Sequence, residues 1–167
     1  MKALLLTLFL FFTTLYADNF TLGLQHYNLK IYSKAFEEFN QCTTDKYCQA
    51  MIGLMYQKAQ GTKKDIQKAK IWYEKAANQG DLSSMHNLGV LYLNEKKYNK
   101  AEKWLLKAAQ DGKGYTPSIY NLGLIYLYGW GVKPDYQKAL NYMQQAKSLG
   151  YEQANAPITW LNEQLKN

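Results

Sequence analysis

The side chains with most chemistry to offer are two cysteines, two histidines and a large set of lysines. Cys42 and Cys48 are the only cysteines among 167 residues, with five residues between them. Two neighbouring thiols can form a disulfide, share a metal or exchange electrons. A zinc site needs three or four clustered ligands, and His26 and His86 each stand alone in the sequence. No metal site and no cofactor are therefore expected. Gly129-Trp130-Gly131 does not follow a strand, as a phosphate-cradling loop would, and is expected to be a turn between helices. All 20 basic residues are lysines, and the net charge is +7. Arginine carries the planar fork that reads phosphate and guanine edges. Its absence argues against nucleic acid as a partner. Lys34, Lys68, Lys100 and Lys138 recur in register, as solvated helix faces would. Such a surface suits an acidic envelope or an acidic partner.

The first residues bear on the redox state of the thiols. Lys2 precedes an apolar run from Ala3 to Phe12, and Ala17 stands before the polar Asp18 and Asn19. A positive start, a short apolar segment and a small residue at the break are the parts of a secretory signal. Residues 1–17 are expected to be that signal, with an uncleaved anchor as the alternative. The run is too short to cross a bilayer comfortably, so no stable membrane span is expected after cleavage. The folded part is then expected in the periplasm or outside a bacterial cell. In an oxidising compartment an even cysteine count at close spacing favours a disulfide. A redox-active pair is the alternative, although the spacing is not Cys-x-x-Cys.

What positions these residues is an internal repeat. Leu88-Gly89-Val90-Leu91-Tyr92 returns as Leu122-Gly123-Leu124-Ile125-Tyr126 and earlier as Ile52-Gly53-Leu54-Met55-Tyr56. A Lys-Ala pair follows each, ending in Ala69, Ala101 and Ala139, with Tyr73, Leu105 and Met143 four residues later. Ala76, Ala108 and Ala146 come next, and Gly80, Gly112 and Gly150 close the units. A degenerate copy precedes them, with Gly23, Ala35, Phe39 and Cys42 in the corresponding places. Glycine with a large residue three positions on marks one helix face, and the Ala-large-Ala series marks a second. Small residues let helix axes approach while the large ones fill the layer between. The closing glycine is the expected helix cap. One such pair cannot bury its apolar faces alone, so neighbouring pairs must stack.

This pattern resembles the Sel-one-like repeat, a relative of the tetratricopeptide repeat. The third unit has the tetratricopeptide spacing, whereas the second and fourth carry four extra residues between helices. In the fourth, Gly129-Trp130-Gly131-Val132-Lys133-Pro134-Asp135 is similar to the Gly-x-Gly-Val-x-x-Asp loop of that family, and Asp135 is suited to cap the next helix. The second keeps Gly61 and Asp65 of that loop. The resemblance implies an all-α fold, an α/α solenoid of about four helix-turn-helix repeats. The expected repeat domain is residues 18–150, with units at about 20–46, 47–81, 82–114 and 115–150. Residues 151–167 are expected to form a C-terminal capping helix, with Asn155 as its cap residue and Trp160, Leu161 and Leu165 on one face. A partner-binding helix is the alternative for that segment.

The resemblance also frames function. Cys42 takes the place of the last repeat alanine and Cys48 opens the next helix, so a disulfide there would staple the degenerate unit to its neighbour. Disulfide-linked helix junctions recur in the cysteine-rich Helicobacter branch of the family, which is exported. Some of that branch are penicillin-binding with weak β-lactamase activity, which is the alternative function. The Ser-x-x-Lys, Ser-x-Asn and Lys-Thr-Gly elements of serine β-lactamases are absent; Thr43-Thr44-Asp45-Lys46 has the first spacing alone. No catalytic residue is expected. Tetratricopeptide relatives hold peptides on the concave face lined by first helices. Mapped here, that face selects His86, Asn87, Val90, Tyr120, Asn121, Leu124 and Tyr128, with Leu54, Leu93 and Leu127 as further apolar contacts. An amide offers a donor and an acceptor together, which suits an extended peptide backbone. Bonding of Asn87 and Asn121 to a neighbouring helix is the other reading. The expected function is an exported scaffold that binds a protein or peptide in its groove.

Overall fold

The computed structural model describes residues 19–110 and 114–166. The expected signal segment at 1–17 and the closing glycine at 112 lie outside the described residues. Every regular element among those residues is helical. Helix α1 covers residues 19–28, α2 Tyr32–Asn40, α3 Lys46–Lys58 and α4 Ile66–Asn78. Helix α5 is Leu82–Asn94, α6 Tyr98–Ala109, α7 Thr116–Tyr128 and α8 Tyr136–Ser148. A 3-10 turn at Glu152–Ala154 leads into α9, Asn155–Gln164. The fold is all-α and repeat-built, as the sequence pattern implies. The chain divides into two compact units at Asp81 and Leu82.

Within each unit consecutive helices pack as pairs, and one contact recurs in every pair. The first-helix glycine lies directly beneath the large residue of the second helix. A Cβ built on Gly23 would stand 2.6 Å from the Phe39 ring, and on Gly53 2.8 Å from the Tyr73 ring. On Gly89 it would meet Leu105 Cγ at 2.6 Å, and on Gly123 Met143 Cε at 2.8 Å. Phe39, Tyr73, Leu105 and Met143 are all fully buried. The large residue therefore fills the gap its own glycine opens, which is tighter than the interlayer role expected of it.

Helix ends follow the backbone more than residue type. Gly80 and Gly150 take positive φ, one residue beyond the caps Gln79 and Leu149. Their N–H groups, with those of Asp81 and Tyr151, bond the last carbonyls of α4 and α8 at 2.9–3.1 Å, which closes the helix in a Schellman turn. Lys96 makes the same turn after α5 at φ 56°, and Lys30 after α1 at φ 60°. The second and fourth units share one longer loop. Ala59 and Gly129 both adopt the left-handed conformation, Asp65 and Asp135 N–H bond Tyr56 and Tyr126 carbonyls, and both carboxylates cap the next helix. The second unit thus carries the whole loop geometry, although its sequence retains little of the motif.

One other expectation is extended and one is corrected. The recurring lysines are not merely solvated, because the ammonium groups of Lys68, Lys100 and Lys138 lie over Tyr56, Tyr92 and Tyr126 at 5.4, 5.6 and 4.0 Å. Each joins the second helix of a repeat to the first through a cation–π contact. Tyr126 also donates to Glu102, and burial, with that carboxylate, pushes its phenol up to about 12. Nor is Asn155 the cap of α9. It is the first helical residue, and its amide donates to Glu152 Oε2 at 2.6 Å. Only Leu161 of the expected apolar face is fully buried, while Trp160 and Leu165 stay exposed.

Cys42 and Cys48 form a disulfide, with both residues fully buried in the core of the first unit beside Phe39 and Ile52. The loop it closes is held by Gln49 Nε2 on the Thr43 carbonyl at 2.7 Å and by Gln79 on Gln49 and the Thr44 carbonyl. The bridge therefore ties the turn after α2 to the first turn of α3. Replacing both cysteines by serine should lower stability by about 2–3 kcal/mol and speed amide exchange in α2 before α4. Equal protection in both helices would refute that assignment.

The glycine contacts give a second expectation with opposed terms. Alanine is better than glycine in a helix by about 1 kcal/mol, while overpacking costs about 1–3 kcal/mol. At Gly53 the obstacle is a rigid ring, fully buried and held by its hydroxyl on Gln57 Oε1 at 2.7 Å. At Gly123 the obstacle is the flexible end of Met143. Gly53→Ala should therefore destabilise by roughly 1–2 kcal/mol, and Gly123→Ala by less than roughly 0.5 kcal/mol. Urea denaturation measures both, and equal losses would refute the role given to the ring.

Candidate binding site

Helices α5 and α7, first helices of successive repeats, pack against each other in the second unit. The contact is polar. His86 Nδ1 lies 2.9 Å from Ser118 Oγ, and its ring stands 5.0 Å from that of Tyr115. Ser118 is fully buried. Burial pushes the His86 imidazole down to about 4, so it is neutral at neutral pH. A hydroxyl beside an imidazole could form a nucleophile, but a buried oxygen offers no approach to a substrate. The pair is a tie between helices. Of the expected face, His86 is thus already engaged within the chain. No cluster suited to a metal occurs among the described residues.

Asn87 and Asn121 follow at equivalent places, both part-exposed. Among the described residues neither amide side chain has a hydrogen-bond partner in the chain, so the alternative of a bond to the neighbouring helix is not seen. Val90 and Leu124, one turn further along, are also part-exposed. The Tyr120 ring packs at 5.0 Å and a tilt of 46° against Tyr151, and Tyr120 and Leu124 pack on the edge of the core. Tyr128 is 60% exposed at the end of α7. Leu127, expected as a groove contact, belongs instead to the core. Leu54 belongs to the first unit, and these residues to the second.

Sequence reasoning missed the surroundings of Tyr128. An apolar cavity of about 320 Å³ opens between the end of α7 and α9, lined by Leu127, Tyr128, Ala156, Pro157 and Trp160. Tyr128 also stacks on Trp130 at 5.3 Å, and Trp130 on Tyr98 at 6.5 Å. The aromatic pair flanking Gly129 was the available signal, but nothing in the spacing ties it to Trp160.

The His86 tie has a pH consequence. The unfolded chain takes a proton near pH 6.5, whereas the folded imidazole resists until about pH 4. The contribution is therefore complete above pH 6.5 and is lost as pH falls toward 4, by roughly 2–3 kcal/mol. His86→Gln should flatten that part of the pH dependence when urea midpoints are compared at pH 7 and 4.5. Parallel curves for the two proteins would refute it.

Residues 46–81 and 116–151 match the Sel1 repeat, and residues 82–110 match the tetratricopeptide repeat. A Sel1-like repeat-containing protein of Acanthamoeba polyphaga mimivirus is 38% identical over 98 residues, covering 59% of this chain and 18% of that protein. The ERAD-associated E3 ubiquitin-protein ligase component HRD3B of Arabidopsis thaliana is 36% identical over 96 residues, covering 53% and 14%. The chain thus spans less than a fifth of the length of these curated relatives. The crystal structure of a Sel1 repeat protein from Oxalobacter formigenes superposes with a TM-score of 0.74 at 30% identity, covering 84% of this chain and 58% of that one. Among the described residues no helix is long and apolar enough to cross a membrane. The chain belongs to the Sel1-like, tetratricopeptide-like repeat family.

Proposed function

We propose that this protein is an exported scaffold that binds an extended peptide or protein segment on the face shared by α5 and α7. The observation that carries the reading is the pair Asn87 and Asn121. These are two amides at the same place in successive repeats, without partners among the described residues, on helices locked together by His86 and Ser118. Each can accept and donate to one peptide unit, and Val90, Leu124 and Tyr128 add apolar contact. A rigid base lowers the entropy lost when a flexible ligand is ordered. Repeats of this family serve as protein-interaction scaffolds, and HRD3B is by name a component of a larger ligase. Export is part of the proposal, supported by the N-terminal pattern and by the buried disulfide, a bond that persists in oxidising compartments.

Each amide replaces water bonds with peptide bonds worth about 1 kcal/mol net. Changing Asn87 and Asn121 together to alanine should weaken partner capture by about 10–30-fold without loss of helicity by circular dichroism. Capture of the same partner at wild-type strength would sink the assignment.

A further inference from the structure

At one end of the second unit the α5–α6 turn meets the α7–α8 loop, where a Cβ on Gly131 would collide with Tyr98. An open pocket of about 410 Å³ lies at this junction, lined by Lys96, Lys97, Tyr98, Asn99, Lys100 and Gly131. Three of its lining residues are lysines, and the acid found with them is Glu95, ion-paired to Lys97 at 2.7 Å. Lysine donates and cannot accept, so the pocket carries excess positive charge and calls for an anion. The apolar cavity beside Tyr128 and Trp160 asks for the opposite chemistry. The stack Tyr98–Trp130–Tyr128 joins the two, with steps of 6.5 and 5.3 Å. The rings of Tyr98 and Tyr128, one lining each pocket, are therefore at most roughly 12 Å apart, a span that about four residues of extended chain can cover.

We infer that this end of the unit binds an acidic peptide bearing one large apolar side chain. The apolar residue seats between Tyr128 and Trp160, and aspartate or glutamate three to five positions away reaches Lys96 and Lys100. The inference rests on the peptide-binding reading above and carries it past Tyr128, off the α5/α7 face. Charge complementarity selects the occupant. A second copy of this chain, at a net +7, would bring like charge to the lysines. A purely apolar surface would leave them unmatched, and a simple anion would leave the cavity empty.

The probe is a fluorescein-labelled peptide of about ten residues with one phenylalanine and two glutamates about four positions on, read by anisotropy on the full chain. Trp160→Ala should weaken binding by tenfold or more, while leaving a peptide with glycine for phenylalanine unaffected. Lys96→Gln with Lys100→Gln should weaken it several-fold and flatten its salt dependence. These are exposed positions, and circular dichroism checks that the variants fold. Full binding by the Trp160 and lysine variants, with loss only in Asn87→Ala and Asn121→Ala, would overturn this inference and leave the α5/α7 reading standing. Lack of binding by peptides of this spacing would also overturn it. So would displacement by an acidic polysaccharide at matched charge, or self-association through the same residues.

Discussion

The fold depends on how closely two helices of a pair can approach, and a glycine beneath a large side chain sets that distance. In all four pairs the missing Cβ is replaced by Phe39, Tyr73, Leu105 or Met143, each without solvent exposure. The contact is self-complementary, because the residue that needs the gap also fills it. A helix pays in propensity for an interior glycine, so the position persists only where packing returns more. The identity of the filler changes from ring to branched chain to thioether, whereas the glycine does not change. Shape at the glycine is therefore fixed and chemistry above it is free within a size limit.

That asymmetry explains what was legible in the sequence. Small residues at fixed spacing are a sharp signal, and they revealed the helix pairs, the all-α class and the repeat family. Backbone conformation was less legible where the usual residue was absent. Ala59 adopts the turn that Gly129 makes, and Lys30 and Lys96 take left-handed φ in place of glycine. A left-handed residue with a Cβ costs about 1–2 kcal/mol, yet each of these is held by two helix-closing hydrogen bonds around it. Tertiary and capping contacts overrode local preference, and residue type alone does not report them.

Side chains that reach between elements were the least legible. The lysines in register looked like solvent-facing charge, yet three of them cover the tyrosine of the preceding Leu-Gly motif. Each of those positions serves two ends: the ammonium lies over an aromatic face while the residue stays exposed to water. His86 and Ser118 lie 32 residues apart, nearly one repeat, so their meeting follows from stacking and not from either helix alone. In the next repeat Tyr120 stands where His86 stands here, and it packs against Tyr151 with tilted rings. One repeat position thus serves as a polar tie in one pair and an aromatic one in the next. The asparagines beside them keep the same type in both repeats and are spared such internal work.

The contrast between the two units follows from their cores. The first unit contains the degenerate repeat, whose short α2 has no side-chain cap and whose closing glycine is replaced by the start of α3. Its core is completed by the disulfide, which occupies the place where other repeats put an alanine against a neighbour. The second unit has no cysteine and holds itself by apolar layers from α6 to α9, with Leu161 closing them. A covalent link stiffens the first without requiring a polar face, whereas the second must keep its helices aligned through His86 and Ser118. Alignment of that kind fixes the spacing of Asn87 and Asn121. The residues that stabilise the second unit therefore also preorganise the face proposed to bind, and a ligand ordered on it meets amides on helices already held together instead of having to draw them together.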